Sequence, residues 1–156
     1  MENNKRKELI VSALNNGTVI DHLPSDSLFT VIRILGLDQS KNQIYFGSNL
    51  DSKKYGNKAI IKVKDRFFEP KELNKIALIA PSATLIEIKD YDVVNKQGVE
   101  IPGKVEQFVK CFNPNCVTNI EDEVKSRFKV DTSDGELKLH CHYCEKTTKS
   151  DSIEFL

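Results

Sequence analysis

The run Lys96-Gln97-Gly98-Val99-Glu100-Ile101-Pro102-Gly103 has neither the two-residue period of a strand nor the 3.6-residue period of a helix, and it holds two glycines and a proline. That composition is a linker's, and it divides the 156-residue chain into two expected domains, 1–103 and 104–156. The residues on its two sides carry different chemistry. Upstream lies the densest run of basic residues, and downstream lie all four cysteines.

Upstream, Gly17-Thr18-Val19-Ile20-Asp21 follows an Asn-Gly turn signal and reads as a strand. Pro24-Ser25-Asp26 then precedes Leu28, Val31, Ile32 and Leu35 at helical spacing, with Gly36 placed to end the helix. Alternation over Gln43–Leu50 and again over Lys58–Phe67 predicts two strands, the second with Lys58, Lys62 and Lys64 on one face and Ile61 and Val63 on the other. A second helix begins at Glu69-Pro70 and stops before Pro81, and Ala83–Ile88 and Tyr91–Val94 read as short strands. The βαββαβ order is that of a ferredoxin-like α+β sandwich, two helices over an antiparallel sheet.

Downstream, Val124, Ser126, Phe128 and Val130 alternate with Lys125, Arg127 and Lys129, and Leu137 and Leu139 with polar neighbours, so this domain is expected to be small and all-β. A core of some 50 residues is thin and ordinarily needs a covalent or metal staple. Cys111, Cys116, Cys141 and Cys144 form the pattern C-x4-C-x24-C-x2-C, two close pairs of thiols joined by an intervening hairpin. Zinc takes four ligands at tetrahedral corners, and two tight turns supply two thiolates each. The expectation is one structural Zn2+ per chain in a zinc-ribbon or rubredoxin-like domain. Iron is the metallic competitor, although the C-x4-C turn departs from the paired C-x2-C pattern of rubredoxin-type sites. His140 and His142 flank Cys141, but four sulfurs already fill the shell and leave no position for a catalytic water.

Charge narrows the function classes. Basic and acidic residues both total 23, so no global field draws the chain to nucleic acid or to an anionic membrane. Residues 104–156 carry eight basic and ten acidic side chains, a net charge of −2, which disfavours phosphate-backbone binding there. Asn113, Asn115, Glu145 and Lys146 lie beside the cysteine turns, where a metal would rigidify them into a polar surface for protein contact. Within 53–66, six basic residues face one aspartate. Lys58 and Lys62 with Asp21, His22 and Lys96 could together hold a nucleotide, ammonium groups on phosphate and carboxylate on ribose, or could equally be a solvated strand face. No apolar stretch is long enough to span a membrane and no export signal is evident, so a reducing cytoplasm is expected. A nucleic-acid-binding zinc ribbon and an enzyme in its own right are the other readings; no aromatic RNA-binding motif, phosphate-binding glycine loop or nucleophile–base pair points to either.

Gly17-Thr18-Val19-Ile20-Asp21-His22, Gly56-Asn57-Lys58 with Lys62, Leu78-Ile79-Ala80-Pro81-Ser82-Ala83-Thr84, Tyr91-Asp92-Val93-Val94 with Lys96, and Cys141-His142-Tyr143-Cys144-Glu145-Lys146 occur in that order. Together with the cysteine spacing they resemble the regulatory chain of aspartate carbamoyltransferase, an enzyme of pyrimidine biosynthesis. The resemblance implies a non-catalytic chain with an N-terminal nucleotide-effector domain and a C-terminal zinc domain that docks on a separate catalytic chain. It further implies a homodimer of regulatory chains, with CTP, UTP and ATP as effectors. Carried over by position, Lys96 would hold phosphates, Asp21 and Lys62 the ribose, and Leu14 and Tyr91 would offer backbone groups to the base. Val11, Ala13, Val19, His22, Lys58, Ile88 and Val93 would complete the pocket. Ser12 and Ile86 depart from the better-known members, which have glutamate and asparagine there.

Overall fold

The β-branched run after Asn16 forms β1 (Gly17–Leu23), the central strand of the N-terminal sheet in the computed structural model, which describes residues 14–53 and 56–156. Gly17 has φ +142, and a Cβ there would collide with the Val63 carbonyl oxygen, so only glycine lets the chain enter the sheet at this point. A 3-10 turn over Ser25–Ser27 leads into α1 (Leu28–Ile34), which Gly36 terminates in the left-handed conformation. Strands β2 (Ile44–Ser52) and β3 (Gly56–Lys64) follow. Helix α2 (Pro70–Ile79) opens with a capping box: the Glu72 carboxylate accepts the Glu69 N–H at 2.9 Å, and the Glu69 side chain accepts the Glu72 N–H. Strands β4 (Thr84–Lys89) and β5 (Asp92–Gly98) complete the unit.

The five strands are antiparallel neighbours in the order β2-β3-β1-β4-β5, the ferredoxin-like order extended by one edge strand. Alternation sends Ile20, Ile61, Val63 and Leu85 to one face, where they pack with Leu28, Val31 and Ile76 of the helices. The opposite face carries Lys62, Val19, Ile86 and Lys96 in one cross-strand row. The sequence pattern places Lys96-Gln97-Gly98 in a linker, but these residues finish β5, paired through Ile86↔Lys96, Leu85↔Gln97 and Thr84↔Gly98. All seven β5 residues are exposed, so no apolar alternation marks the strand; backbone pairing to β4 creates it.

By contact density the chain separates into two units, Met1–Val99 and Glu100–Leu156. In the second, β6 (Lys104–Glu106), β8 (Arg127–Asp131), β9 (Lys138–Cys141) and β10 (Thr147–Lys149) make a sheet ordered β10-β9-β8-β6. Strand β7 (Val109–Lys110) pairs with β11 (Glu154–Phe155), and α3 (Val117–Ile120) is a single turn. Val105, Val109, Phe128 and Leu139 are the large apolar side chains buried in this unit, and Cys111, Cys116 and Cys141 are buried among them. So small an apolar core is the thin one expected from length.

Candidate functional site

Each cysteine pair sits where a strand gives way to a turn. Cys111 follows β7 and Cys116 caps α3, while Cys141 ends β9 and Cys144 lies in the turn before β10. The four Sγ atoms lie within 4.8 Å of one another, with Cys111–Cys144 at 3.6 Å and Cys116–Cys141 at 3.7 Å. A tetrahedron with metal–sulfur bonds of 2.3 Å has edges of about 3.8 Å. The Cys111–Cys144 and Cys116–Cys141 separations match that edge and are far beyond a sulfur–sulfur bond of about 2.05 Å, and all four thiols are free.

Hydrogen bonds around the two cysteine turns orient the thiols toward one another. Asn119 donates through Nδ2 to the Cys111 and Asn113 carbonyls at 2.8 and 2.7 Å, and the Cys116 N–H donates to the Asn113 carbonyl at 3.0 Å. Thr118 Oγ1 donates to Cys116 Sγ at 3.2 Å, and the Cys141 N–H and Lys146 carbonyl close the second turn at 3.0 Å. Glu145 takes φ 62, the left-handed conformation that tightens this turn. Electrostatics explain why such a cage calls for a cation. Burial pushes the Cys111 and Cys141 thiols up. Burial also opposes the Cys144 thiolate, but the Lys146 N–H, the Asn113 side chain and the neighbouring thiols outweigh it and hold the group down at about 7. Four crowded thiols cannot all ionise unless a positive charge sits between them, and a thiolate-binding metal supplies that charge.

Around the cysteine turns the expected contact residues divide. Asn115, Glu145 and Lys146 are exposed, whereas Asn113 is only 8% exposed and accepts the Asn115 N–H at 3.1 Å, so it braces the turn. The sequence reading overlooks an apolar ring beside them, Phe112, Val117, Ile120 and Tyr143, all exposed. A helical or strand period cannot reveal these residues because Val117 and Ile120 share only the single turn of α3, while Phe112 and Tyr143 lie in the two separate cysteine turns. Apolar side chains next to metal ligands and pointing outward were the only available sign.

In the N-terminal unit, Lys62 lies opposite Val19, Val19 opposite Ile86, and Ile86 opposite Lys96, so one row crosses four strands of the open face. The register of β1 against β3 shifts between Ile20 and Leu23, and His22 there has φ 58. This bulge brings the Asp21 carboxylate to 2.8 Å from Lys58 Nζ and lets it accept the His22 N–H at 2.7 Å. Burial works against the Asp21 carboxylate, but the Lys58 ammonium and the His22 N–H prevail and hold it below the usual carboxylate range. His22 Nδ1 also meets Thr84 Oγ1 at 3.1 Å. Leu14 and Val19 are buried, Ile88 is half-buried, and Tyr91, Val93 and Lys96 are exposed. The Tyr91 N–H is committed to the Asn15 carbonyl at 2.9 Å. Val11, Ser12 and Ala13 lie outside the described residues. A groove of about 790 Å³ opens beside His22, but Phe29, Ser48, Asn49 and Asn57 line it, and no other expected nucleotide residue does.

Residues 9–100 match the family model "Aspartate carbamoyltransferase regulatory chain, allosteric domain", and residues 103–154 match "Aspartate carbamoyltransferase regulatory chain, metal binding domain". The chain is 48% identical over 156 residues to the aspartate carbamoyltransferase regulatory chain of Bacteroides thetaiotaomicron, covering all of both chains. It is 47% identical to that of Phocaeicola vulgatus, covering 100% of this chain and 99% of the relative. It is 50% identical to that of Thermococcus sibiricus over 147 residues, 94% of this chain and 96% of the relative. The ferredoxin-like sheet, the four-sulfur cage and full-length likeness to relatives from such different organisms converge on one conclusion: the chain belongs to the family of aspartate carbamoyltransferase regulatory chains.

Proposed function

We propose that this regulatory chain binds nucleoside triphosphates on the open face of its N-terminal sheet and grips the catalytic chain through a C-terminal domain organised by one Zn2+. The observation that carries the second half is the sulfur cage, whose separations suit a tetrahedral thiolate site. Cys111, Cys116, Cys141 and Cys144 are its ligands. When bound, the ion supplies structural charge compensation and no reaction chemistry. Asn115, Glu145 and Lys146, with Asn113 bracing them and Phe112, Val117, Ile120 and Tyr143 adding apolar area, form the docking surface.

For the effector, Lys96 and Lys62 at the two ends of the cross-strand row engage the phosphates and ribose, and Asp21, oriented by Lys58, accepts from a ribose hydroxyl. Because the Tyr91 N–H is taken, its carbonyl is the backbone group that meets the base. Ile86 sits between Val19 and Lys96 in this row, so this chain offers an apolar surface to the ligand at that position. CTP, UTP and ATP are the effector class, and an effector acts by binding one quaternary state better than the other. The free edge of β2, with Tyr45 and Phe46 exposed and Phe46 edge-on to Phe29 at 5.9 Å, supports a homodimer of regulatory chains. No helix among the described residues is long and apolar enough to cross a membrane, and the free thiols suit a reducing cytoplasm.

The test of the effector site is calorimetric titration of the full chain with CTP and ATP. Lys96→Ala is expected to weaken triphosphate binding about tenfold, or 1.4 kcal/mol. Unchanged affinity removes Lys96 from the site.

A further inference from the structure

The outward face of the C-terminal sheet carries an electrostatic imbalance that neither the sulfur cage nor the effector surface uses. Across adjacent strands Lys104 lies opposite Lys129, Lys129 opposite His140, and His140 opposite Thr147. Both lysines are exposed, and like charges directly opposite one another on antiparallel strands destabilise the pairing. Of the acids near this row, Glu106 pairs with Arg127 at 3.4 Å, Asp131 with His140 at 3.3 Å and Asp134 with Lys138, while Glu145, which lines the same groove, is in no ion pair among the described residues. Among the described residues, neither Lys104 nor Lys129 belongs to any ion pair. A domain with net charge −2 thus keeps two ammonium groups side by side outside any ion pair.

The two lysines rim a groove of about 680 Å³ lined also by Arg127, Phe128, His142 and Glu145. Glu145 belongs to the second cysteine turn, so the groove runs into the surface assigned above to docking. We infer that this face receives an acidic segment of the catalytic chain, with its carboxylates seated between Lys104 and Lys129 and within reach of Arg127. This rests on the docking reading given above and adds the partner's chemistry to it. An exposed sheet face walls a ligand on one side only, so a small anion there would stay hydrated. A docked segment excludes water over the whole groove and brings the counter-charges the lysine pair lacks. The repulsion held in the free chain is relieved when the partner arrives.

The experiment measures affinity of the metal-loaded full chain for the catalytic subunit at low and moderate salt, alongside the thermal midpoint and metal content of the free chain. Lys129→Glu places a carboxylate opposite Lys104, so it should leave metal content unchanged and keep or raise the thermal midpoint while weakening assembly about tenfold or more. Lys104→Gln, which creates no new attraction, should weaken assembly severalfold and flatten its salt dependence. A structural role for the row would instead move midpoint and assembly down together, and that result overturns the inference. Wild-type affinity in both variants overturns it too, as does Lys129-dependent binding of inorganic pyrophosphate with assembly unaffected, which would make the face a small-anion site. If the unaltered metal-loaded chain fails to bind the catalytic subunit at all, the docking reading falls and this inference with it.

Discussion

Phe128→Ala separates a metal that decides folding from one that decorates a folded domain. Phe128 is 1% exposed and lies between Val105 on β6 and Cys141 on β9, so it links the apolar core directly to a cage cysteine. Truncating a buried phenylalanine costs about 3 to 5 kcal/mol. A unit whose large buried apolar side chains are Val105, Val109, Phe128 and Leu139 has little net stability from which to absorb that loss. Structural zinc supplies about 10 to 16 kcal/mol in comparable small domains, so the loaded variant still folds. If the stripped domain is unfolded, folding and metal binding are one equilibrium, and the whole core penalty appears as lost metal affinity. At 1.4 kcal/mol per tenfold, that loss lies between about a hundredfold and a few thousandfold. The assay is competition for Zn2+ against a chelator of known strength, with the C-terminal amides followed by NMR in the full chain. Unchanged metal affinity, with only a lower thermal midpoint, would show that the cage is preformed and would refute the reasoning.

Two further outcomes follow from the N-terminal unit. Gly17→Ala should lower its stability by at least about 1 to 3 kcal/mol, read as a shift in urea midpoint, because the new Cβ meets the Val63 carbonyl at a backbone angle only glycine adopts readily; an unchanged midpoint would mean that β1 can shift there. The Asp21 carboxyl is held below its usual range in the folded chain, so its contribution is fully present above about pH 4 and is lost as pH falls through the folded value. The stability difference between wild type and Asp21→Asn should therefore shrink between pH 6 and pH 3, and a difference independent of pH would exclude the Asp21–Lys58 pair as its source.

The helices and central strands were legible because each has one buried face: Leu28, Val31 and Leu35 repeat at helical spacing, as do Leu73, Ile76 and Ala80, and Ile61 and Val63 alternate with lysines. The cysteine spacing was legible because two short turns leave four sulfurs few places to go. What pattern could not show was set by pairing and by turns. The sequence reads β5 only as Tyr91–Val94; its continuation through Gly98 is exposed and is set by pairing with β4. In the C-terminal unit Val124 and Ser126 share the alternation of Phe128, yet the strand starts only at Arg127, after the Val124 N–H closes a turn on the Glu121 carbonyl at 3.1 Å. Asn113 looked like surface because asparagine is usually exposed, but the first cysteine turn folds its carbonyl and side chain inward to bind Cys116, Asn119 and Asn115. The opposed lysines Lys104 and Lys129 stand 25 positions apart and become neighbours only through strand register.

The most direct test weighs the assembly of this chain with its catalytic subunit by analytical ultracentrifugation, with the bound metal quantified on the same sample before and after treatment with a thiol-directed mercurial. One zinc ion per chain, an intact complex beforehand and release of the catalytic subunit on loss of the metal are the expected results. A complex that survives complete removal of the metal, or a chain that assembles normally with none bound, would contradict the account.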